Sequence, residues 1–273
     1  MEQRFAGKVV VVTGASSGIG AAAARLFAAE GAKVALVARS VGPLEALAAE
    51  LGASARAFPA DVGDADACAG LLRAIVEAFG GLDVLVNNAG KNTRGSVEHV
   101  DAAELRGILE VNLIAPVVLT RLALPLLRAR GRGAIVNVAS IAGQTVLPHE
   151  ATYCASKWGL RAFTFALREE LAGSGITASV VSPGPVDTGF LMNELDSVPD
   201  LVFGNPMSTA EQVAALILDS AADGLRERTI PAMTGYLARA GDLLPGLRRL
   251  LVPTIEKRGR AAKEEYRRRK GRA

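Results

Sequence analysis

Short runs of Val, Ile, Leu and Ala alternate along the chain with longer Ala- and Leu-rich stretches that carry polar residues at helical intervals. The runs at 8–13, 33–38, 55–59, 82–87, 133–139 and 177–182, and a shorter one at 228–231, have the length of strands. The stretches at 19–30, 43–51, 64–79, 102–128, 153–172 and 209–222 have the length and spacing of helices. The runs VVVVT and LDVLVN are apolar at consecutive positions, so both of their faces need cover. Strands of that kind belong to parallel sheets with helices on either side. The regular alternation predicts a doubly wound, three-layer α/β/α arrangement. No linker or internal repeat interrupts it. A single domain is expected over 6–235, with an extension over 236–273.

Composition agrees with this pattern. The chain has 273 residues, is 50% hydrophobic and carries 29 glycines but only 4% aromatics. Small residues of this kind let helices pack closely on a sheet. The two cysteines, Cys68 and Cys154, lack metal-ligand or disulfide-framework spacing, and a reducing, cytoplasmic setting is expected. No metal site is expected. The opening MEQRFAGKVVVVTG is too short in apolar residues for a secretory signal, and no run reaches ~18 uninterrupted apolar residues. The net charge of +3 is uneven: 255–273 holds nine Lys/Arg against three Glu, and the remainder 22 against 25. The basic character belongs to the tail, so no nucleic-acid-binding body is expected.

The first strand runs into TGASSGIG, residues 13–20, with glycines at 14, 18 and 20, and then into a helix. A glycine turn at a helix N-terminus offers backbone N–H groups and the positive end of the helix dipole to a pyrophosphate. The spacing is GxxxGxG rather than the usual GxGxxG. Its place after the first strand nevertheless favours dinucleotide binding over a plain βα turn. The second strand ends at Ala38, Arg39 and Ser40, where NAD-binding versions of this arrangement carry an acid for the ribose 2′-OH. With a guanidinium there and no carboxylate, NADP(H) is expected over NAD(H). The alternative is a solvated surface arginine and a tolerant ribose site. After the third strand, Asp61 is placed to accept from an adenine amino group and Val62 to pack on the ring, although a lone Asp there also serves as a helix cap.

At the C-terminal ends of the later strands stand NNAG at 87–90 and Ser140. Asn112 interrupts a helical run in which Asn is a poor former. Tyr153 and Lys157, in YCASK, lie one helical turn apart on one face. Each residue has a bland explanation as cap, turn or surface; their joint occurrence in this order does not. Together with DV at 61–62 and SPGPVDT at 182–188, these motifs resemble the short-chain dehydrogenase/reductase family over roughly residues 6–235.

The resemblance implies a seven-stranded Rossmann-type sheet and an NAD(P)(H)-dependent alcohol–carbonyl oxidoreductase, such as a carbonyl reductase. It assigns acid/base chemistry to Tyr153, orientation of the substrate oxygen to Ser140, the nicotinamide ribose to Lys157, and a water in a proton relay to Asn112. Cofactor contacts fall on Gly14, Ser16, Ser17, Gly18, Ile19 and Gly20, then on Arg39, Asp61 and Val62. Further ones fall on Asn88, Ala89 and Gly90, on Tyr153 and Lys157, and on Pro183, Gly184, Val186 and Thr188. Ser17 stands where some members add a second basic residue. A positive charge beside Tyr153 is expected to ease its ionisation. The resemblance also implies a homodimer or homotetramer, and the apolar circumference of the 153–172 helix, with Trp158, Phe163 and Phe165, agrees.

The stretch FLMNELDSVPDLVFGNPMS, 190–208, mixes apolar residues with Asp, Asn and Pro and reads as a lid over a substrate pocket or as a packed loop. With Val146, Leu147 and His149 ahead of Tyr153, and with its own Phe190 and Leu191, it suggests a medium-sized apolar carbonyl or alcohol. For His149 the surface reading is the favoured one. Beyond 235, Leu243, Leu244, Leu247, Leu250 and Leu251 recur at helical spacing beside Arg248 and Arg249. Either an amphipathic basic helix rests there on an anionic membrane, or a helix closes the pocket. The second reading needs no additional partner. A non-catalytic cofactor sensor is the remaining alternative for the whole chain, and the presence of both Tyr153 and Lys157 argues against it.

Overall fold

The computed structural model describes residues 3–193, 195–243 and 245–270. Seven strands form one sheet: β1 (Val9–Thr13), β2 (Lys33–Ala38), β3 (Ala55–Pro59), β4 (Val84–Asn87), β5 (Gly133–Val138), β6 (Ile176–Pro183) and β7 (Glu227–Ile230). All pairings are parallel, in the order β3-β2-β1-β4-β5-β6-β7. The helices are α1 (Gly18–Ala29), α2 (Val41–Leu51), α3 (Ala65–Phe79), α4 (Ala102–Leu109), α5 (Ala115–Ala129) and α6 (Ala151–Glu170). They continue with α7 (Gly189–Met192), α8 (Asp200–Phe203), α9 (Ala210–Asp223), α10 (Ala232–Leu243) and α11 (Pro245–Lys270).

The two-faced strands behave as their composition requires. Val10, Val12, Val34, Leu36, Val84 and Val136 point to one face and pack with Phe27 of α1, Leu44 of α2 and Ile217 of α9. Val9, Val11, Ala35, Val37, Leu85 and Ile135 point to the other and meet Ile75 of α3, Leu119 of α5 and Leu167 of α6. Successive strand side chains alternate in direction, so one run of valines feeds two cores. Each fully buried Val or Leu contributes about 1.5–3 kcal/mol. Strand order reverses between β1 and β4, opening a crevice at the C-terminal edge of the sheet.

The apolar stretch 102–128 is not one regular helix. A π-turn at Glu110–Ile114 separates α4 from α5. By length and composition the Ala102–Ala129 segment could cross a membrane. Here Ile108, Leu119, Ala123 and Leu127 are buried in the protein.

Beyond β7, α11 lies against α8. Phe203 and Tyr266 pack with their rings 6.0 Å apart. Lys263 is buried and donates to the carbonyls of Val198 at 2.6 Å and Asp196 at 3.2 Å. Arg267 pairs with Asp196 at 2.7 Å and Arg260 with Asp200 at 3.3 Å. The basic helix thus lies across an acidic segment of the 190–208 stretch. Leu244, and the side chains of Leu243, Leu247, Arg248, Arg249, Leu250 and Leu251, lie outside the described residues.

Candidate active site

A cavity of about 450 Å³ follows the crevice at the C-terminal edge. One end is the glycine turn. Gly14, Ser16, Ser17, Gly18 and Ile19 line it, and Ser17 caps α1 without any side-chain bond to the helix N–H groups. No acidic residue lies in the first turn of α1. The free N–H groups and helix dipole suit an anion. Gly14 has φ of 67° and sits so close to the β4 end that a Cβ would stand 2.9 Å from the Ala89 Cα. A Cβ on Gly20 would overlap the Gly14 carbonyl oxygen. Gly20 therefore serves helix-to-turn packing; it does not line the cavity, contrary to its expected role as a direct contact. Thr13 joins the two strand ends: its hydroxyl accepts from the N–H groups of Asn88 at 2.9 Å and Ala89 at 3.0 Å.

Further along, Arg39, Asp61 and Val62 line the same cavity, as do Asn88, Ala89 and Gly90. The carboxylate of Asp61 accepts from the Gly63 N–H at 2.9 Å and lies 3.7 Å from the exposed Arg39 guanidinium. The end of β2 carries no acid of its own, but folding brings one to it from β3. Pro183, Gly184, Val186 and Thr188, at the end of β6 and beyond, form the opposite wall.

Tyr153, Lys157 and Ser140 meet at the centre of the cavity. Ser140 ends the β5 segment, and its hydroxyl accepts from the Ala142 N–H at 3.1 Å while hydrogen-bonding with Tyr153. Burial pushes the Tyr153 phenol well above the ordinary tyrosine value, and the Ser140 bond lowers it only in part. The expected easing of ionisation is therefore not a property of the protein's own groups. Lys157 lies 5.8 Å from the Tyr153 ring centre, and burial lowers its pKa to about 8. The site as folded favours a tyrosine that carries its proton.

Asn112 is fully buried and does not line the cavity. Its side chain accepts from the Lys91 N–H at 2.8 Å and donates to the Lys91 carbonyl at 2.9 Å and to Ser156 at 3.1 Å. It ties the loop after β4 to the π-turn and to α6. Such turns place irregular backbone beside functional sites.

On the outer side, Val146, Phe190 and Leu191 line the cavity. Phe190 stands 6.3 Å from Tyr153, ring to ring. His149 is exposed and outside the cavity, with φ of 63°. That left-handed turn carries the next residue, Glu150, into the wall instead. Lys91, Arg94, Glu150, Leu201, Leu237 and Ile255 also line the cavity and were missed from the sequence. Arg94 and Glu150 lie in segments without periodicity. Leu237 and Ile255 reach the site only because α10 and α11 fold back over it.

The pattern of matches follows this geometry. The family model for short chain dehydrogenase covers residues 8–198, and the chain belongs to that family of NAD(P)-binding oxidoreductases. It is 40% identical over 216 residues to the ketoacyl reductase HetN of Nostoc sp., covering 77% of this chain and 75% of that protein. Dehydrogenase/reductase SDR family member 7B of Bos taurus is 33% identical over 273 residues, covering 93% of this chain and 83% of that protein. Nodulation protein G of Rhizobium sp. is 38% identical over 225 residues, covering 79% and 91%.

Proposed function

We propose that this protein is an NADP(H)-dependent oxidoreductase that interconverts a secondary alcohol and a ketone or aldehyde on a medium-sized apolar substrate. The observation that carries the reading is the convergence of Ser140, Tyr153 and Lys157 on a cavity whose other end is the uncapped glycine turn. The turn at 14–19 would hold a pyrophosphate, Asp61 and Val62 an adenine, and Lys157 a ribose. When bound, the nicotinamide supplies or takes up the hydride.

In the reduction direction Tyr153 gives its proton to the carbonyl oxygen as negative charge develops there, and regains one from solvent. Ser140, fixed by the Ala142 N–H, orients that oxygen. The apolar outer wall of Val146, Leu147, Phe190, Val202, Leu237 and Ile255 favours an apolar substrate. The Nostoc relative's name, ketoacyl reductase, puts acyl ketones first among candidates.

Arg39 supports NADP(H), since its exposed guanidinium can leave Asp61 for a 2′-phosphate. The second reading is an NAD(H)-dependent alcohol dehydrogenase of the same family, in which Asp61 keeps Arg39. We propose further that α6 forms a homodimer contact, because Ala151, Ala155, Ala162 and Ala166 present a row of exposed small side chains. Light scattering that finds only monomer at micromolar concentration removes this part.

The test is a fluorescence titration with NADPH and NADH, then turnover of aromatic, alicyclic and acyl ketones with the tighter cofactor. Tighter NADPH binding with turnover of an apolar ketone is expected. Tighter NADH binding selects the second reading, and absence of turnover across the panel removes the substrate assignment.

A further inference from the structure

Arg94 and Glu150 take no part in the chemistry above, yet they form an ion pair in the cavity wall. Arg94 Nε donates to Glu150 Oε1 at 2.9 Å, with side chains 4% and 3% exposed. A pair this dry loses several kcal/mol of hydration per ion, and its attraction does little more than restore that. Stability alone gives it no clear advantage over an apolar pair. Its placement suggests another role.

Glu150 precedes α6 and stands three residues before Tyr153; Ser156 stands three residues after. At helical spacing both flank Tyr153 by about one turn. Ser156 is held by Asn112, which grips both backbone groups of Lys91. Glu150 is held by Arg94, three residues further along the same loop. A backbone bond from the Gly95 N–H to the His149 carbonyl, 2.9 Å, reinforces this second tie. The loop after β4 is therefore fastened to α6 on both sides of the tyrosine.

We propose that Arg94 and Glu150 are a positioning pair that holds the Tyr153 phenol against Ser140 and, through the Glu150 carboxylate, keeps that phenol in its proton-bearing form. This rests on Tyr153 being the acid. The groups that act on the phenol are consistent with it. Beyond burial, Glu150 and Cys154 favour the protonated form, Ser140 and Arg94 oppose it, and Lys157 lies beneath the ring at 5.8 Å.

The experiment is the pH profile of kcat for NADPH-dependent reduction of the panel ketone turned over fastest, in Glu150→Gln, Arg94→Met and Arg94→Lys. Glu150→Gln removes a negative charge while keeping an acceptor for Arg94. Its alkaline limb is expected to fall by about one pH unit, with NADPH affinity within twofold of the parent. Arg94→Met is expected to move the limb upward and to raise hydrogen exchange in the 147–156 segment. Arg94→Lys, which keeps the charge, restores the parent limb. If Arg94→Met fails to fold, the Glu150→Gln and Arg94→Lys profiles decide.

A Glu150→Gln limb at the parent position overturns the proposal, as does a shift of the same sign in both charge-removing variants. Tyr153→Phe separates the two readings. An active Tyr153→Phe enzyme removes the acid assignment and this proposal with it. An inactive Tyr153→Phe with an unmoved Glu150→Gln limb removes the positioning pair alone.

Discussion

The ammonium of Lys157 donates to the backbone carbonyl of Val138 at 2.9 Å, pinning α6 to the end of β5. That bond does not offset the loss of hydration, and burial lowers the lysine to about 8. Below that pH the folded protein must bury a charge that the unfolded chain keeps in water. Between about pH 8 and 10 the unfolded state binds more protons than the folded state, so stability rises with pH. Urea denaturation of the cofactor-free protein is expected to show a gain of about 2–3 kcal/mol over that window from this group. Lys157→Met is expected to lose that increment, and an unchanged pH dependence in the variant contradicts the assignment.

Replacing Tyr153 by Phe removes the proposed proton donor and leaves the ring that packs near Phe190. Turnover is expected to fall by at least about 10²–10⁴-fold, the scale of general acid catalysis. NADPH affinity, measured by fluorescence titration, is expected to stay within a few-fold.

Arg39 lies 3.7 Å from Asp61 and is largely exposed, free to exchange one anion for another. Arg39→Ala is expected to weaken NADPH binding by about 10- to 100-fold, the worth of one or two charge-assisted hydrogen bonds. NADH binding is expected to change little. An unchanged ratio of the two affinities rejects the 2′-phosphate role.

Gly259 lets α11 pack closely on α8: a Cβ there would overlap the Asp200 carbonyl oxygen. Gly259→Ala is expected to lift α11 from α8, at an overpacking cost of about 1–3 kcal/mol. KM for an apolar ketone should rise while NADPH affinity holds. Gly246→Ala, with no atom of the described residues within 4 Å of the added carbon, is the control and should leave KM unchanged.

The strands, the helices between them and the glycine turn were legible in the sequence because each rests on local composition or period. Short, β-branched valine runs bounded by turn residues read as buried strands, and Tyr153 and Lys157 share a face through helical geometry alone. The placements that local pattern left open were of another kind. Gly20 supports the turn from behind because of how closely α1 approaches Gly14. His149 turns outward because a left-handed residue delivers Glu150 inward. Asn112 is drawn from the cavity by the Lys91 backbone, 21 residues away.

The pairing of Arg94 with Glu150 spans 56 residues, and that of Lys263 with Val198 spans 65. No periodicity encodes such distances. The sequence by itself determined the layered sheet, the glycine turn and the Tyr–Lys pair, since backbone geometry carries those over a few residues. Only the tertiary structure decided which side chains close around the tyrosine, because desolvation and ion pairing depend on which segments fold against one another.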